Sequence, residues 1–211
     1  MVSSKYKIVI IITVALIVIL TVGYIIKSFV SHIEAPTTPT GEIILRVEGK
    51  ILKTNSDNAF TFDLDTLRSL GTITYKEYDP WFKKELEYTG VPLVKVLKYV
   101  GVSNGATKVI VIAKDKYKVV FNLKALMESE VGRRILLTFI VNGKLLRPVF
   151  KFEVDAGGPI RLAYPYLKGQ EEVIKEIEEN LLVGIWNGKG RVLGRKFALA
   201  HEWMVCKIII E

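Results

Sequence analysis

Two short stretches of this chain hold residue types whose spacing could do chemistry. The first is Gly157-Gly158-Pro159-Ile160-Arg161. Two glycines let a backbone approach a ligand closely, the proline stiffens the exit, and a guanidinium fork can grip a phosphate. Taken as a pattern alone, the same residues more simply spell a tight turn between strands with a solvated Arg161. The second stretch is Tyr78-Asp79-Pro80-Trp81, inside KEYDPWFKKELEYTGVPL (76–93), where aromatics, a proline and clustered charges meet. It is either a strand end or a place where a ligand sits.

Other candidates are weaker. His32 and His201 are the only histidines, and Cys206 is the only cysteine, which excludes an internal disulfide and any multi-cysteine metal site. A zinc site from His201, Glu202 and Cys206 is conceivable. In a strand, however, 202 and 206 share one face and 201 falls on the other, so a structural His201 and a core Cys206 beside Met204 and Ile208 are expected. No nucleophile elbow, Walker loop, zincin motif or dinucleotide fingerprint is present. The helix-like EEVIKEIEEN (171–180) reads as a solvated charged face.

The elements that must position these residues are mostly strands. IILRVEG (43–49) is a β-branched strand, and Asp63 or Asp65 can cap a short helix through Leu70. Thr72 to Tyr78 alternates Ile73, Tyr75 and Glu77 against Thr74, Lys76 and Tyr78, which is strand periodicity. Pro92 to Val100 is the clearest helix, with the stripe Leu93, Val96, Leu97, Val100 and a stop at Gly101. TKVIVIA and YKVVF form a strand pair around Lys114-Asp115-Lys116, and Asn122 can cap LKALMES. ILLTFIVNGKLL turns at Asn142-Gly143, while FKFEV, IRLAY and WMVCKIII are further strands. The segment Leu181–Lys196 reads as a partner-binding hairpin or a solvated loop. Strands with short helices between them make a mixed α+β domain rather than a doubly wound sheet.

Bulk properties add an anchor and a charge. The chain has 211 residues, half of them hydrophobic. Ile8–Ile26 holds no charged residue, and at about 1.5 Å per residue a helix there nearly crosses a bilayer core. No small-x-small cleavage site follows, so an uncleaved transmembrane anchor is expected over residues 1–30, with a Pro/Thr linker over 31–40 and one domain over 41–211. Lys5 and Lys7 against Lys27 place the N-terminus inside and the domain extracytoplasmic. Without Lys5, Lys7, Lys27 and Glu34, the 30 Lys+Arg and 22 Asp+Glu leave the domain at +6. That suits an anionic small molecule or a lipid headgroup surface, and equally a soluble Lys/Glu-rich exterior. No basic helix with interleaved aromatics favours nucleic acid. Ile, Val, Lys and Glu in abundance with a single glutamine lean toward a thermophile.

Taken in order, FTFDLDTL, YTGVPLVKVLKYVGV, VIVIAKDKYKVVFNL, ILLTFIVNGKLL and GGPIRLAYP resemble the molybdopterin-binding oxidoreductase domain of the sulfite oxidase family. The resemblance spans roughly residues 41–170. It implies an α+β fold of mixed sheets and short helices. It also implies a pyranopterin carrying molybdenum or tungsten, and oxygen-atom transfer. Cofactor-contacting positions would be Tyr78, Gly157, Gly158, Arg161 and Lys168. The family's metal ligand is a cysteine about a dozen residues before the glycine of GVPL; counting back from Gly90 lands on Tyr78, with no cysteine nearby. A soft thiolate suits that metal, and a phenol replaces it poorly. Ala156 stands where relatives carry His or Asn, and Ala113-Lys114-Asp115 replaces a Thr- or Ser-ended strand. Glu171 and Glu172 flank Lys168 where a pterin phosphate would bind.

Two functions therefore stand side by side. In one, the domain has a degenerate site and acts as a binding or interaction module, for a membrane protein partner or an anionic small molecule through Arg161 and Lys168. In the other, it is an active molybdenum or tungsten oxidoreductase with a non-standard ligand and a membrane redox partner.

Overall fold

The computed structural model describes Thr21, residues 38–201 and residues 203–211. The anchor expected over residues 8–26 and most of the linker lie outside the described residues. No described helix is long and apolar enough to cross a membrane.

Two sheets position the site. The first has seven strands in the order β11-β10-β6-β5-β12-β1-β2: Val192–Gly194, Leu182–Trp186, Lys118–Asn122, Lys108–Ala113, Val205–Ile210, Leu45–Gly49 and Ala59–Phe62. The second runs β3 (Ile73–Asp79), β4 (Lys84–Pro92), β7 (Leu136–Val141) and β8 (Lys144–Leu145), with β9 (Arg161–Ala163) also paired to β7. All pairings are antiparallel except β1 with β12, where Arg46 lies opposite Lys207. This mixed-sheet α+β architecture agrees with the sequence expectation.

The short helices follow their signals. Helix α1 (Leu64–Ser69) is capped by Asp63, whose carboxylate accepts from Thr66 N at 2.8 Å and also from Thr40 N at 2.9 Å and Gly41 N at 2.8 Å. Burial pushes this acid upward, but the bonds from Thr66, Gly41 and Thr40 outweigh it and hold its pKa at about 2. Helix α2 (Leu93–Val100) buries Leu93, Val94, Val96, Leu97 and Val100, each worth about 1.5–3 kcal/mol when taken from water. Helices α3 (Leu123–Glu128) and α4 (Glu130–Arg133) take Asn122 and Ser129 as caps. The Asn142-Gly143 turn has positive φ at both residues, 47° and 73°, as a tight hairpin requires.

The main core joins β1, β2, β5 and β6 to α2, β7 and β9. A smaller cluster of Leu86, Tyr88, Leu136, Val141, Leu146 and Ala163 covers the other face of the second sheet.

Four expectations need correction. FKFEV forms no strand, because Arg147 ties Asp155 through its side chain (Nε–Oδ2 3.0 Å) and its backbone (Arg147 N–Asp155 O 2.7 Å). The intervening residues are thus closed into a loop with no strand partner. Trp203 and Met204 precede β12 rather than belonging to it, Met204 having φ 55°. A register shift between Val205 and Lys207 leaves Cys206 half-buried, while Val205, Ile208 and Ile210 face the core. EEVIKEIEEN is not wholly a solvated face: α5 (Glu171–Lys175) continues into a π-type turn, Glu176–Leu181, that buries Ile177 and Leu181. The segment after Leu181 forms the β10–β11 hairpin at the edge of the first sheet.

Candidate functional site

Strand β3 sorts its side chains by period two, and this puts two acids in the interior. Glu77 and Asp79 point toward the smaller cluster, while Tyr78 lies half-buried against the main core. Glu77 is fully buried: Oε1 meets His201 Nε2 in a short hydrogen bond, and Oε2 accepts from Tyr164 N at 2.9 Å. His201 is held in turn by Phe197 O, 3.2 Å from Nδ1. A carbonyl only accepts, so Nδ1 carries a hydrogen and donates. The Nε2–Oε1 bond then needs one further proton between the two groups. Burial raises Glu77 to about 7 against the opposing pull of His201. Burial also works against an imidazolium, but the Glu77 charge and hydrogen bond outweigh it and raise His201. Both shifts describe one retained proton.

Asp79 organises the turn that follows. Oδ1 accepts from Trp81 N at 2.8 Å and Phe82 N at 2.9 Å, and Oδ2 accepts from Tyr88 OH at 2.6 Å. The turn thereby presents Trp81 at 42% exposure and leaves Phe82 inward. Phe82 stacks on Phe152 and Trp203, with ring centroids 4.8 and 5.9 Å away.

Arg161, on β9, is only 1% exposed. Nη2 donates to Glu153 O at 3.1 Å and to Ala156 O, while Nε and Nη1 are buried without a hydrogen-bond partner. Its guanidinium carbon lies 4.2 Å from the Trp203 ring centroid, a cation–π contact. Burial lowers its pKa, opposed by the Tyr88 and Asp79 side chains beside it. Neither a solvated Arg161 nor an open phosphate grip describes this group: Trp203 lies on it. Gly157 serves that same contact, while Gly158 lets Leu146 approach. Gly157 has φ 73°, and a Cβ there would stand 2.7 Å from the Trp203 ring; one on Gly158 would stand 2.6 Å from Leu146 O. Both glycines admit protein atoms.

The five sequence-derived positions thus form two groups. Gly157 and Arg161 converge on Trp203, with Gly158 beside them against Leu146. Tyr78 sits instead with Lys168, whose Nζ is 5.8 Å from the Tyr78 ring, and with Tyr166, whose ring is edge-on at 6.2 Å. On β3, Tyr78 faces away from Asp79, the acid that lies near Arg161. Cys206 lies on β12 in the other sheet, its Sγ 3.6 Å from Ile112 O. Among the described residues no three His, Cys, Asp or Glu side chains gather as a metal site.

Above these buried groups opens a cleft of about 310 Å³, walled by Trp81, Tyr117, Phe150, Phe152, Trp203 and Met204, with His201 at its lining. The Asp115 turn, the Trp81 turn and the 150–152 loop, remote in sequence, meet there. Sequence reasoning missed the Glu77–His201 pair and the whole aromatic wall. One signal was available: Glu77 shares a strand face with Ile73 and Tyr75, so burying those two buries the acid and demands a partner for it.

Residues 44–181 match the family model for the oxidoreductase molybdopterin binding domain. Among solved structures, the crystal structure of the sulfane dehydrogenase SoxCD from Paracoccus pantotrophus is similar at 17% identity and a TM-score of 0.47. The likeness covers 79% of this chain and 37% of that one. No curated protein sequence matches significantly.

Proposed function

Because the chain belongs to the family of oxidoreductase molybdopterin-binding domains, we propose that it is a member whose cofactor site has been taken over by its own side chains. It then serves as a binding module, held at the membrane by its N-terminal segment. The observation that carries this reading is Trp203. It packs against Gly157 and covers Arg161, the positions that the resemblance assigns to cofactor contact.

The residues present do not fit a metal–pterin. Tyr78 stands where the family's thiolate is expected, and it faces Tyr166 and the main core rather than Arg161. Arg161 has two buried, unpartnered nitrogens, but the residue is 1% exposed and Trp203 stacks on its guanidinium. A buried polar atom without a partner costs roughly 1–3 kcal/mol. We read the unsatisfied guanidinium as what remains of a grip on an anion, now kept cationic by an indole face. Oxygen-atom transfer is therefore not assigned to this chain. What the domain offers a partner is the aromatic cleft.

Elemental analysis for molybdenum and tungsten on natively purified protein, with pterin fluorescence after oxidation, tests this. The expected result is neither metal nor pterin at stoichiometric level. Stoichiometric metal with pterin would sink the reading and restore the oxidoreductase.

A further inference from the structure

We propose that the end of the domain carrying the cleft is a docking face for an anionic membrane surface. Trp81, Phe150 and Phe152 would enter the boundary between headgroups and acyl chains, and the cations around them would meet lipid phosphates. The inference does not depend on whether a cofactor is bound.

Three observations support it. The first is the form of the apolar surface: Phe150 is 78% exposed, Phe152 67% and Trp81 42%, on two segments remote in sequence that meet at the cleft. These rings line the cleft yet turn much of their surface to solvent, as aromatic residues do at a membrane interface.

The second is charge. The segments that wall the cleft, residues 81–84, 114–117, 150–153, 191–196 and 199–204, hold eight Lys and Arg against three Asp and Glu. That excess of five is nearly all of the domain's +6, so the rest of the surface is close to neutral. Lys83, Lys84, Lys114, Lys116, Lys151, Arg191, Arg195 and Lys196 are all exposed. Beside the cleft, across the Asp115–Lys116 turn, lies a second pocket of about 370 Å³. Lys108, Lys116, Lys118 and Trp186 line it, with Glu211 as its acid. Such a pocket suits a phosphate headgroup.

The third is topology. β1 runs parallel to β12 with Arg46 opposite Lys207, and β12 begins where Val205 pairs with Ala113. The polypeptide therefore enters the sheet at the end that carries the cleft.

The test uses the full-length chain with phosphatidylcholine vesicles bearing brominated acyl chains, with and without phosphatidylglycerol. Flotation with neutral vesicles reports the anchor alone. The face is read from the extra emission of a Phe150→Trp variant over wild type. That emission should be quenched several-fold more strongly when phosphatidylglycerol is present, and the difference should vanish at high salt. In a Lys83→Gln/Lys84→Gln background the docked-to-undocked ratio should fall roughly five-fold per cation removed. A Phe152→Ser change should weaken quenching, read well below the unfolding temperature of the variant because Phe152 also stacks on Phe82 and Trp203. Quenching on anionic vesicles without flotation on neutral ones would support the face while removing the anchor. Extra emission that stays unquenched, that is quenched equally on both vesicles, or that shifts only when an acidic protein is added would overturn the proposal.

Discussion

The buried Glu77–His201 pair should make the stability of this domain depend on pH in a definite sense. The native pair holds one proton, because Phe197 O already takes the Nδ1 hydrogen and the Nε2–Oε1 bond requires another. In the unfolded chain the glutamate titrates near 4.3 and the histidine near 6.5, so above about pH 6.5 neither holds that proton. Both folded-state shifts are upward, Glu77 to about 7 and His201 above its ordinary value. The native state therefore binds more protons than the unfolded state, and the stabilisation is lost as pH rises through the pair's release. The limiting slope for one proton is about 1.4 kcal/mol per pH unit. For a domain of this size that is roughly 3–5 °C of unfolding temperature per unit. Thermal unfolding followed by circular dichroism from about pH 6.5 to about 8.5 measures it. A Glu77→Gln change removes the counter-charge, so the buried histidine becomes easier to keep neutral than in the unfolded chain. Its slope should vanish or turn upward, whatever the absolute stability of the variant. A flat wild-type profile, or an unchanged slope in Glu77→Gln, would refute the shared proton.

Three further outcomes follow from the same structure. Asp63→Ala should cost about 1–2 kcal/mol by urea titration, since it uncaps α1 and frees the amides of Thr40 and Gly41. Its depressed pKa contributes stability above the unfolded value that is lost as pH falls toward about 2, and the variant should lack that acid limb. Gly157→Ala puts a Cβ at φ 73° against the Trp203 ring, so it should lose about 2–4 kcal/mol and red-shift tryptophan emission as the ring is displaced. Tyr78→Cys should acquire no molybdenum even in a host that loads relatives, because position 78 faces Tyr166 and the main core.

How far the sequence reached depended on the range of each signal. Helix α2 was legible because its stripe and its Gly101 stop lie within ten residues of each other, and the Asn142-Gly143 turn because two residues suffice to dictate it. FKFEV failed for the opposite reason. Its alternation is that of a strand, but a strand exists only where a neighbour accepts its hydrogen bonds, and the Arg147–Asp155 tie leaves it none. The candidate site was legible as an absence and illegible as a structure. The spacing from Gly90 back to Tyr78 shows no cysteine where the resemblance implies one, but nothing local says what packs on Arg161. The ring that packs on Gly157 and Arg161 comes from a residue 46 positions beyond Gly157, and the proton-sharing pair joins residues 124 apart.

On the proposed reading, that distance also bears on whether a change of ligand alone could account for the site. A thiolate lost alone would leave Arg161 buried under open space, with its guanidinium facing solvent or a stray anion. Here Gly157 has no Cβ to obstruct the indole, Phe82 and Phe152 stack against the same ring, and Arg161 lies across its face. Restoring a cofactor would require moving an aromatic stack worth several kcal/mol of burial as well as replacing Tyr78. A single ligand substitution is therefore insufficient in either direction. The double change Tyr78→Cys with Trp203→Ala is the smallest that addresses both obstacles, and it still leaves position 78 on the wrong face of β3.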